Sequence, residues 1–505
     1  MDKGVSVFLI LVAFAIGSKI AVDVVRKRTE LVSIRTFFMI GFILFQCTSA
    51  AIPLWTNYYP RYPINDPAGT GLRYAGLVSM FLLLFFVSYD KGPFVRKLAA
   101  KLPNSSLSPG VGKQLGLAAV LVVIAVALRF GVMIPLIGIL ANFAGLGIAS
   151  VAAGVAGWIW APRLLNPVVA MIAGAVILAA LAVTITGTFG RRGLVSVCAC
   201  TVWGMYYSHF RTIAKVKYMP TLGVVTVAGT LFLALFSSVR AEAQNKNFGP
   251  VEYVKLMATR ADLREGMALL AGGQETGHIS LWLTEEFPER TEYENLLGLA
   301  YGFMVPIPRG WWEEKPMPIS KRIPHIANLR KVDLVTLTIG PGVIGTAWAD
   351  GGWWPVALYA LIFGLSARLL DQWVANGPTN LFVVLPVGSA VGQVLAIPRG
   401  EVGLFAFMYV FSLISTWIMM TILAKVLRFE RSPSAALAAA PVAAVAHATA
   451  LDAHGVEGDE DFEHHGAAGA VWDEPQDVQE WNEPDQRLDW AELDDAHNPH
   501  DWSSL

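Results

Sequence analysis

The stretch Pro306–Pro316, PIPRGWWEEKP, lies inside the single long polar interruption, about residues 240–345, of an otherwise apolar sequence. A charged, tryptophan-rich segment bracketed by prolines cannot sit in hydrocarbon, where its backbone N–H and C=O groups would go unsatisfied. It belongs at a membrane surface or beside a wet cavity. The prolines restrict the backbone and so hold Arg309 and Lys315 in a defined loop. Trp311 and Trp312 are side chains suited to a headgroup interface. Two cations beside interfacial aromatics suit an anionic, lipid-linked ligand, whereas tryptophans that merely anchor a solvated loop would look the same.

The sequence on either side is membrane-like. It is 54% hydrophobic and 15% charged, with a mean hydropathy of +0.51, values that exclude an ordinary soluble domain. The net charge of −1 conceals two unlike parts. From Asp452 onward there are 17 acidic residues and one base, Arg487, which leaves residues 1–451 with an excess of about 15 positive charges. Cys47, Cys198 and Cys200 fall in apolar runs without metal-site spacing and read as packing residues.

Apolar runs predict an all-α polytopic protein of about eleven transmembrane helices, one large extracytoplasmic loop and a disordered acidic tail. The spans fall near 4–24, 36–55, 73–90, 114–134, 136–160, 167–188, 193–209, 220–238, 346–370, 380–397 and 402–427. The chain divides into a helix bundle over 1–239, the loop at 240–345, further helices over 346–429 and the tail from 430 to 505. Within the loop, 250–271 and 291–304 have the spacing of amphipathic surface helices. GGQETGHISLW at 272–282 reads as a connection that is flexible at its start. The basic segments after the first, third, seventh and last spans fall on one side, which the positive-inside rule makes cytoplasmic. The N-terminus is then outside and the C-terminus inside.

The loop, the GRRG turn (190–193) and the PRGE turn (398–401) therefore face outward together. Charges beside membrane spans are costly and mark sites. Arginine presents a planar fork that matches phosphate oxygens. Arg191, Arg192, Arg309 and Arg399 are thus candidate anion ligands, although Arg191 and Arg192 could be interfacial anchors and Glu401 could simply pair with Arg399. Asn65–Asp66, in NDPAG, reads as a turn. The His464–His465 pair in the tail is a poor metal site. No phosphate-loop, GxSxG, HExxH or dinucleotide-binding pattern is present.

Taken in order, GRRG, a PRxxWxxKP-like segment, the glycine-rich GPGVIGTAWADGGWWPVAL (340–358) and Arg399-Gly400-Glu401 resemble bacterial oligosaccharide repeat-unit polymerases of the Wzy type, over roughly residues 180–425. The resemblance implies cofactor- and metal-independent glycosyl transfer at the outer face of the bacterial inner membrane. The substrate would be an undecaprenyl-pyrophosphate-linked oligosaccharide, polymerised into O-antigen or exopolysaccharide. It makes Arg191 or Arg192, Arg309 and Arg399 the pyrophosphate contacts, and membrane lipid and chain-length-regulator or flippase proteins of the same pathway the partners, with no nucleic acid. It also implies a base for the acceptor hydroxyl, for which Glu275 and His278, with Glu401 third, are the candidates. The Glu313–Glu314 pair would then meet sugar hydroxyls or merely pair with Lys315. An O-antigen ligase-type transferase and a lipid-linked oligosaccharide flippase are the rival functions. Paired halves around midplane charges, expected of a transporter, are not evident.

Overall fold

The computed structural model describes residues 2–59, 61–104, 110–132, 137–185, 191–213, 229, 231, 234–239, 242, 250–272, 275–329 and 338–429. The expected span at 220–238 falls largely outside these residues, and the acidic tail wholly so. Residues 1–441 form one compact unit.

The described residues contain helices and turns without strands. Eight helical segments are long and apolar enough to cross a membrane: Lys3–Val25, Ile34–Thr56, Pro67–Lys91, Val111–Gly131, Ile137–Arg163, Pro167–Thr184, Trp353–Asn376 and Val402–Val426. Leu381–Ala396 is apolar but shorter. The Arg191–Met205 helix continues through a π turn at Tyr206–Phe210.

The helices carry the labels α1 (Asp2–Val25), α2 (Ile34–Phe42), α3 (Ser49–Thr56), α4 (Pro67–Lys91), α5 (Pro93–Lys101), α6 (Val111–Val126), α7 (Ile137–Trp160), α8 (Pro167–Ile185) and α9 (Arg191–Met205). In the loop region lie α10 (Pro250–Arg260), α11 (Leu263–Gly272), α12 (Thr276–Glu286), α13 (Leu297–Met304) and α14 (Ile319–Ile326). The series ends with α15 (Gly342–Ala349), α16 (Trp353–Asn376), α17 (Leu381–Ala396) and α18 (Val402–Val426).

Local chemistry sets several boundaries. Asp66 caps α4, accepting from the Gly69 amide at 3.0 Å, and Pro67 occupies the first turn where its missing N–H costs nothing. Ser33 caps α2 and Asn380 caps α17 in the same manner. Between α2 and α3 the helix widens into a π turn over Ile43–Thr48.

Two bodies of packing make up the core. In one, α7 is surrounded by α6, α8, α9, α17 and α18. Its buried face is rich in glycine, alanine and serine between larger apolar side chains, which lets backbones approach closely. A Cβ on Gly204 of α9 would stand 2.2 Å from the Gly154 carbonyl oxygen. In the other, α2, α4 and α16 enclose stacked rings: Phe38 lies 5.0 Å from Phe85 and 5.6 Å from Phe363.

The two ends of the bundle differ. At one end Asp371 of α16 accepts from the Ile34 and Arg35 amides at 2.7 and 3.2 Å and from the Tyr89 hydroxyl at 2.8 Å. This basic end also carries Lys27, Arg28, Arg96 and Arg211, with Lys425 and Arg428 nearby. The loop helices gather at the other end, where Glu285 of α12 is hydrogen-bonded to Asn65, at the start of α4.

Two segments differ from the sequence expectation. The 346–370 span is two helices, because the chain breaks after Ala349. Gly351 and Gly352 take φ of 148° and 81° there, and buried Asp350 sits in the gap. A carboxylate in an apolar run is more cheaply held at a helix end, among amide donors, than in mid-span. The second is GGQETGHISLW, which supplies the start of α12, a helix buried along its whole length. That helix faces protein on all sides, so residues 276–282 are core and not a connection, while the flexible start expected for the segment, at Gly273 and Gln274, lies outside the described residues. Of the cysteines, Cys47 and Cys200 are buried as expected, while Cys198 is exposed.

Candidate functional site

At the loop end, the turn from α17 to α18 is held by Gln46, which lies on the π turn. Its Nε2 donates to the Pro398 carbonyl at 2.6 Å, and its Oε1 accepts from Tyr74 at 2.7 Å. Ser280 of α12 donates to the Pro341 carbonyl at 2.6 Å. The glycine-rich entry to α15 packs against this turn: a Cβ on Gly340 would lie 2.5 Å from the Arg399 carbonyl oxygen. Gly342, at φ 72°, would place a Cβ 2.1 Å from Gln46 Nε2, so both its backbone and its neighbours require glycine.

Arg399 emerges from this turn partly buried, its guanidinium 5.6 Å over the Phe45 ring. Thr276, at the start of α12, donates to the Arg399 carbonyl at 3.4 Å. Glu401 is buried and accepts a hydrogen bond from Ser320 of α14. It lies within electrostatic reach of Tyr301 and Tyr359.

Two further buried carboxylates share this neighbourhood. Asp350 accepts from the Gly298 and Leu299 amides at 2.7 and 3.2 Å and from the Tyr359 hydroxyl. Burial pushes its carboxyl upward, against the Tyr359 hydroxyl and the two amides. Glu294 accepts from Arg322 of α14 at 2.6 Å. Its carboxyl is pushed up to about 7, by burial first and by Asp350 besides, with Arg322 opposing. Glu294 Oε2 is buried without a hydrogen-bond partner among the described residues. The chain beside it is strained, since Asn295 and Leu296 are both left-handed, at φ 50° and 63°. That strain is held by Leu296 N donating to Asp350 O at 3.0 Å and Glu294 N donating to Ala349 O at 2.8 Å.

α14 therefore reaches both Glu401, through Ser320, and Glu294, through Arg322. α13 packs between them: a Cβ on Gly298 would meet Asp350, and one on Gly403 would meet Gly298 O at 2.3 Å. No group of three or more His, Cys, Asp or Glu among the described residues has metal-binding geometry.

The PIPRGWWEEKP loop is closed by its own cations. Lys315 is buried, donates from Nζ to the Ile307 carbonyl at 2.8 Å and lies 5.3 Å over the Tyr301 ring. Burial, and secondarily Arg309, lowers its pKa. Arg309 is exposed and donates to the Lys315 carbonyl at 2.9 Å. Trp311 is 72% exposed, as an interfacial anchor would be, and Trp312 is partly covered. Glu313 and Glu314 are exposed and do not pair with Lys315, whose ammonium goes to backbone.

The remaining candidates are dispersed. His278 is buried on α12, its Nε2 donating to the Tyr62 carbonyl at 2.9 Å, with Tyr59 and Tyr62 rings each 5.7 Å away. Burial lowers its pKa against that bond, which favours the neutral ring. Glu275 stands at the head of the same helix without capping it. Arg191 and Arg192 open α9, and their side chains lie outside the described residues.

The structure thus gathers Glu401, Glu294 and Asp350 around Tyr359, with Arg322 on Glu294 and Arg399 two residues from Glu401; Glu294, Asp350 and Arg322 are residues the sequence alone did not single out. Asp350 carried a signal, an acid followed by two glycines inside an apolar run. Glu294 and Arg322 carried none, because charges in a polar loop are ordinary. Asn65–Asp66, expected as a turn, instead leads into and caps α4, with an added task. Asn65 and Asp66 amides hold Glu285, whose burial alone would raise its carboxyl, below the ordinary range with the aid of Arg290.

No protein-family model, curated protein or solved structure matches the chain.

Proposed function

We propose that this membrane protein is a glycan polymerase acting on oligosaccharides linked to a lipid pyrophosphate, with its loop end outside and its basic end in the cytoplasm. The observation that carries the proposal is the partly buried Arg399 on a tightly packed turn that also holds buried Glu401, which shares Tyr359 with the carboxylates of Asp350 and Glu294, at the end of the bundle where the polar loop gathers. The basic character of the other end supports the orientation.

In the reaction, an acceptor sugar hydroxyl attacks the donor's anomeric carbon as the bond from that carbon to the pyrophosphate oxygen breaks. The lipid pyrophosphate leaves with the electron pair. Arg399 stabilises the charge that develops on it. The hydroxyl proton passes to a carboxylate. Glu294 is the group we assign to that step, because a proton affinity near neutrality suits a general base. His278 is less suited, its Nε2 being committed to Tyr62. Arg309 and Lys315 shape the loop, with the exposed Arg309 free to shift its fork from backbone carbonyls to phosphate oxygens.

The test is glycan chain length in cells lacking the protein, complemented with wild type, Arg399→Gln or Glu294→Gln. We expect single repeat units to accumulate with either variant at normal membrane levels, with transfer reduced on the order of a hundredfold or more. A full ladder from both variants removes the site assignment. An intact lipid-linked ladder that never reaches its acceptor identifies a ligase, and repeat units confined to the cytoplasmic side identify a flippase.

A further inference from the structure

The basic end contains a cavity of about 350 Å³ between the ends of α1, α4, α9 and α16. Its lining includes five cations: Lys27, Arg28, Arg96, Arg211 and Arg368. The two acids there are already engaged. Glu30 accepts from Arg211 at 3.0 Å and from the Tyr206 hydroxyl at 2.6 Å. Asp371 is satisfied by two backbone amides and Tyr89. Lys27, Arg28 and Arg96 are exposed and meet no acid among the described residues.

Arg368 distinguishes this cavity from a merely basic membrane edge. It lies within the Trp353–Asn376 span, where an unneutralised guanidinium is costly. Its described contact is with a ring, its guanidinium lying 5.4 Å over Tyr89. The fork is therefore left with donors to offer, beside a concavity that four further cations border, Arg211 paired with Glu30 and the other three meeting no acid among the described residues. Lys27 is held there in a left-handed conformation, φ 55°, by a turn whose amides bond back to α1.

We propose that this cavity binds a phosphate-bearing group, either the headgroup of an anionic lipid or a soluble polyphosphate. Guanidinium forks and a concave cationic wall fit phosphate oxygens, and basic pockets between membrane helices take anionic headgroups. The proposal does not depend on the polymerase reading, since the site lies at the opposite end of the bundle from Arg399.

The experiment follows thermal unfolding of the purified full-length chain in neutral detergent by tryptophan fluorescence. Inorganic pyrophosphate is titrated in one arm, and phosphatidylglycerol in the other with phosphatidylcholine as comparator. A saturable rise in Tm with pyrophosphate supports a soluble ligand, and one with phosphatidylglycerol alone supports a lipid headgroup. In either case Lys27→Gln and Arg96→Gln each weaken the midpoint roughly three- to tenfold. Lys97→Gln, one residue along α5 and outside the cavity lining, leaves it unchanged. Absence of a rise, a rise indifferent to Lys27→Gln and Arg96→Gln, or an equal loss with Lys97→Gln overturns the proposal.

Discussion

At the scale of single residues, Glu294 carries the sharpest consequence. Its folded pKa, about 7, lies above the unfolded value, so the folded state binds the proton more tightly. Stability from this group is complete below the unfolded pKa and declines as pH rises toward 7 and past it. The loss is on the order of 3 kcal/mol at full ionisation. Glu294→Gln keeps the shape and removes the titration, so its melting temperature should fall less between pH 5 and pH 8 than that of the wild type. Parallel curves for the two proteins would show that Glu294 does not hold a raised pKa. Glu285 has the opposite sign: its carboxyl is depressed, so its contribution is present above the unfolded pKa and is lost on acidification. Glu285→Gln should cost about 1–3 kcal/mol at neutral pH, by weakening the bonds to Asn65 and Arg290, and little in acid. Denaturant or thermal melts at pH 7 and pH 4 decide this.

Among elements, α12 is the one on which the loop end is assembled. All eleven of its residues are buried, and a Cβ on Gly277 would stand 2.3 Å from the Ala50 amide nitrogen. Gly277→Ala should therefore lower stability by about 2 kcal/mol or more, since backbone and not a flexible side chain must yield. Gly116→Ala, on α6 with open space around it, should be neutral or stabilising by up to about 1 kcal/mol. Equal melting temperatures for the two variants would mean that α12 is not packed this tightly on α3. Much of the element layout was legible in the chain. Apolar length located the eight spans, and Asp66-Pro67 announced the start of α4. What escaped was α12, because eleven buried residues at the surface end of a bundle have neither the length of a span nor the one-sided pattern of an interfacial helix. The break at Asp350 escaped because an apolar count smooths over a single charge. The site was legible only at Arg399 and Glu401, whose turn stands out between two apolar runs. Glu294 and Arg322 lie 28 residues apart and become partners only through the fold.

For the whole molecule, the contrast between the ends makes a prediction about sidedness. With Cys47, Cys198 and Cys200 replaced by serine or alanine, Gly310→Cys and Lys97→Cys would report opposite ends of the bundle. Gly310 has open space around it and Lys97 is exposed, so neither change should disturb packing. A membrane-impermeant maleimide should label Gly310→Cys in intact spheroplasts and Lys97→Cys only after permeabilisation. The reverse pattern would place the loop in the cytoplasm and end the polymerase proposal, because the donor is expected on the outer face.

The π turn at Ile43–Thr48 accommodates about one residue more than regular α-helix would over the same rise. Seen as a matter of phase, that surplus resets the helix by roughly 100° between Ile34, clamped to Asp371 at the basic end, and Gln46, which holds the Arg399 turn. Deleting one residue there, Leu44 for example, would leave an unbroken apolar span of adequate length that inserts normally. It would also rotate the two clamps out of mutual alignment, so that only one could be made at a time. The span is thus tuned by residue count and not by hydrophobicity, and an insertion or deletion would do more harm in it than most substitutions.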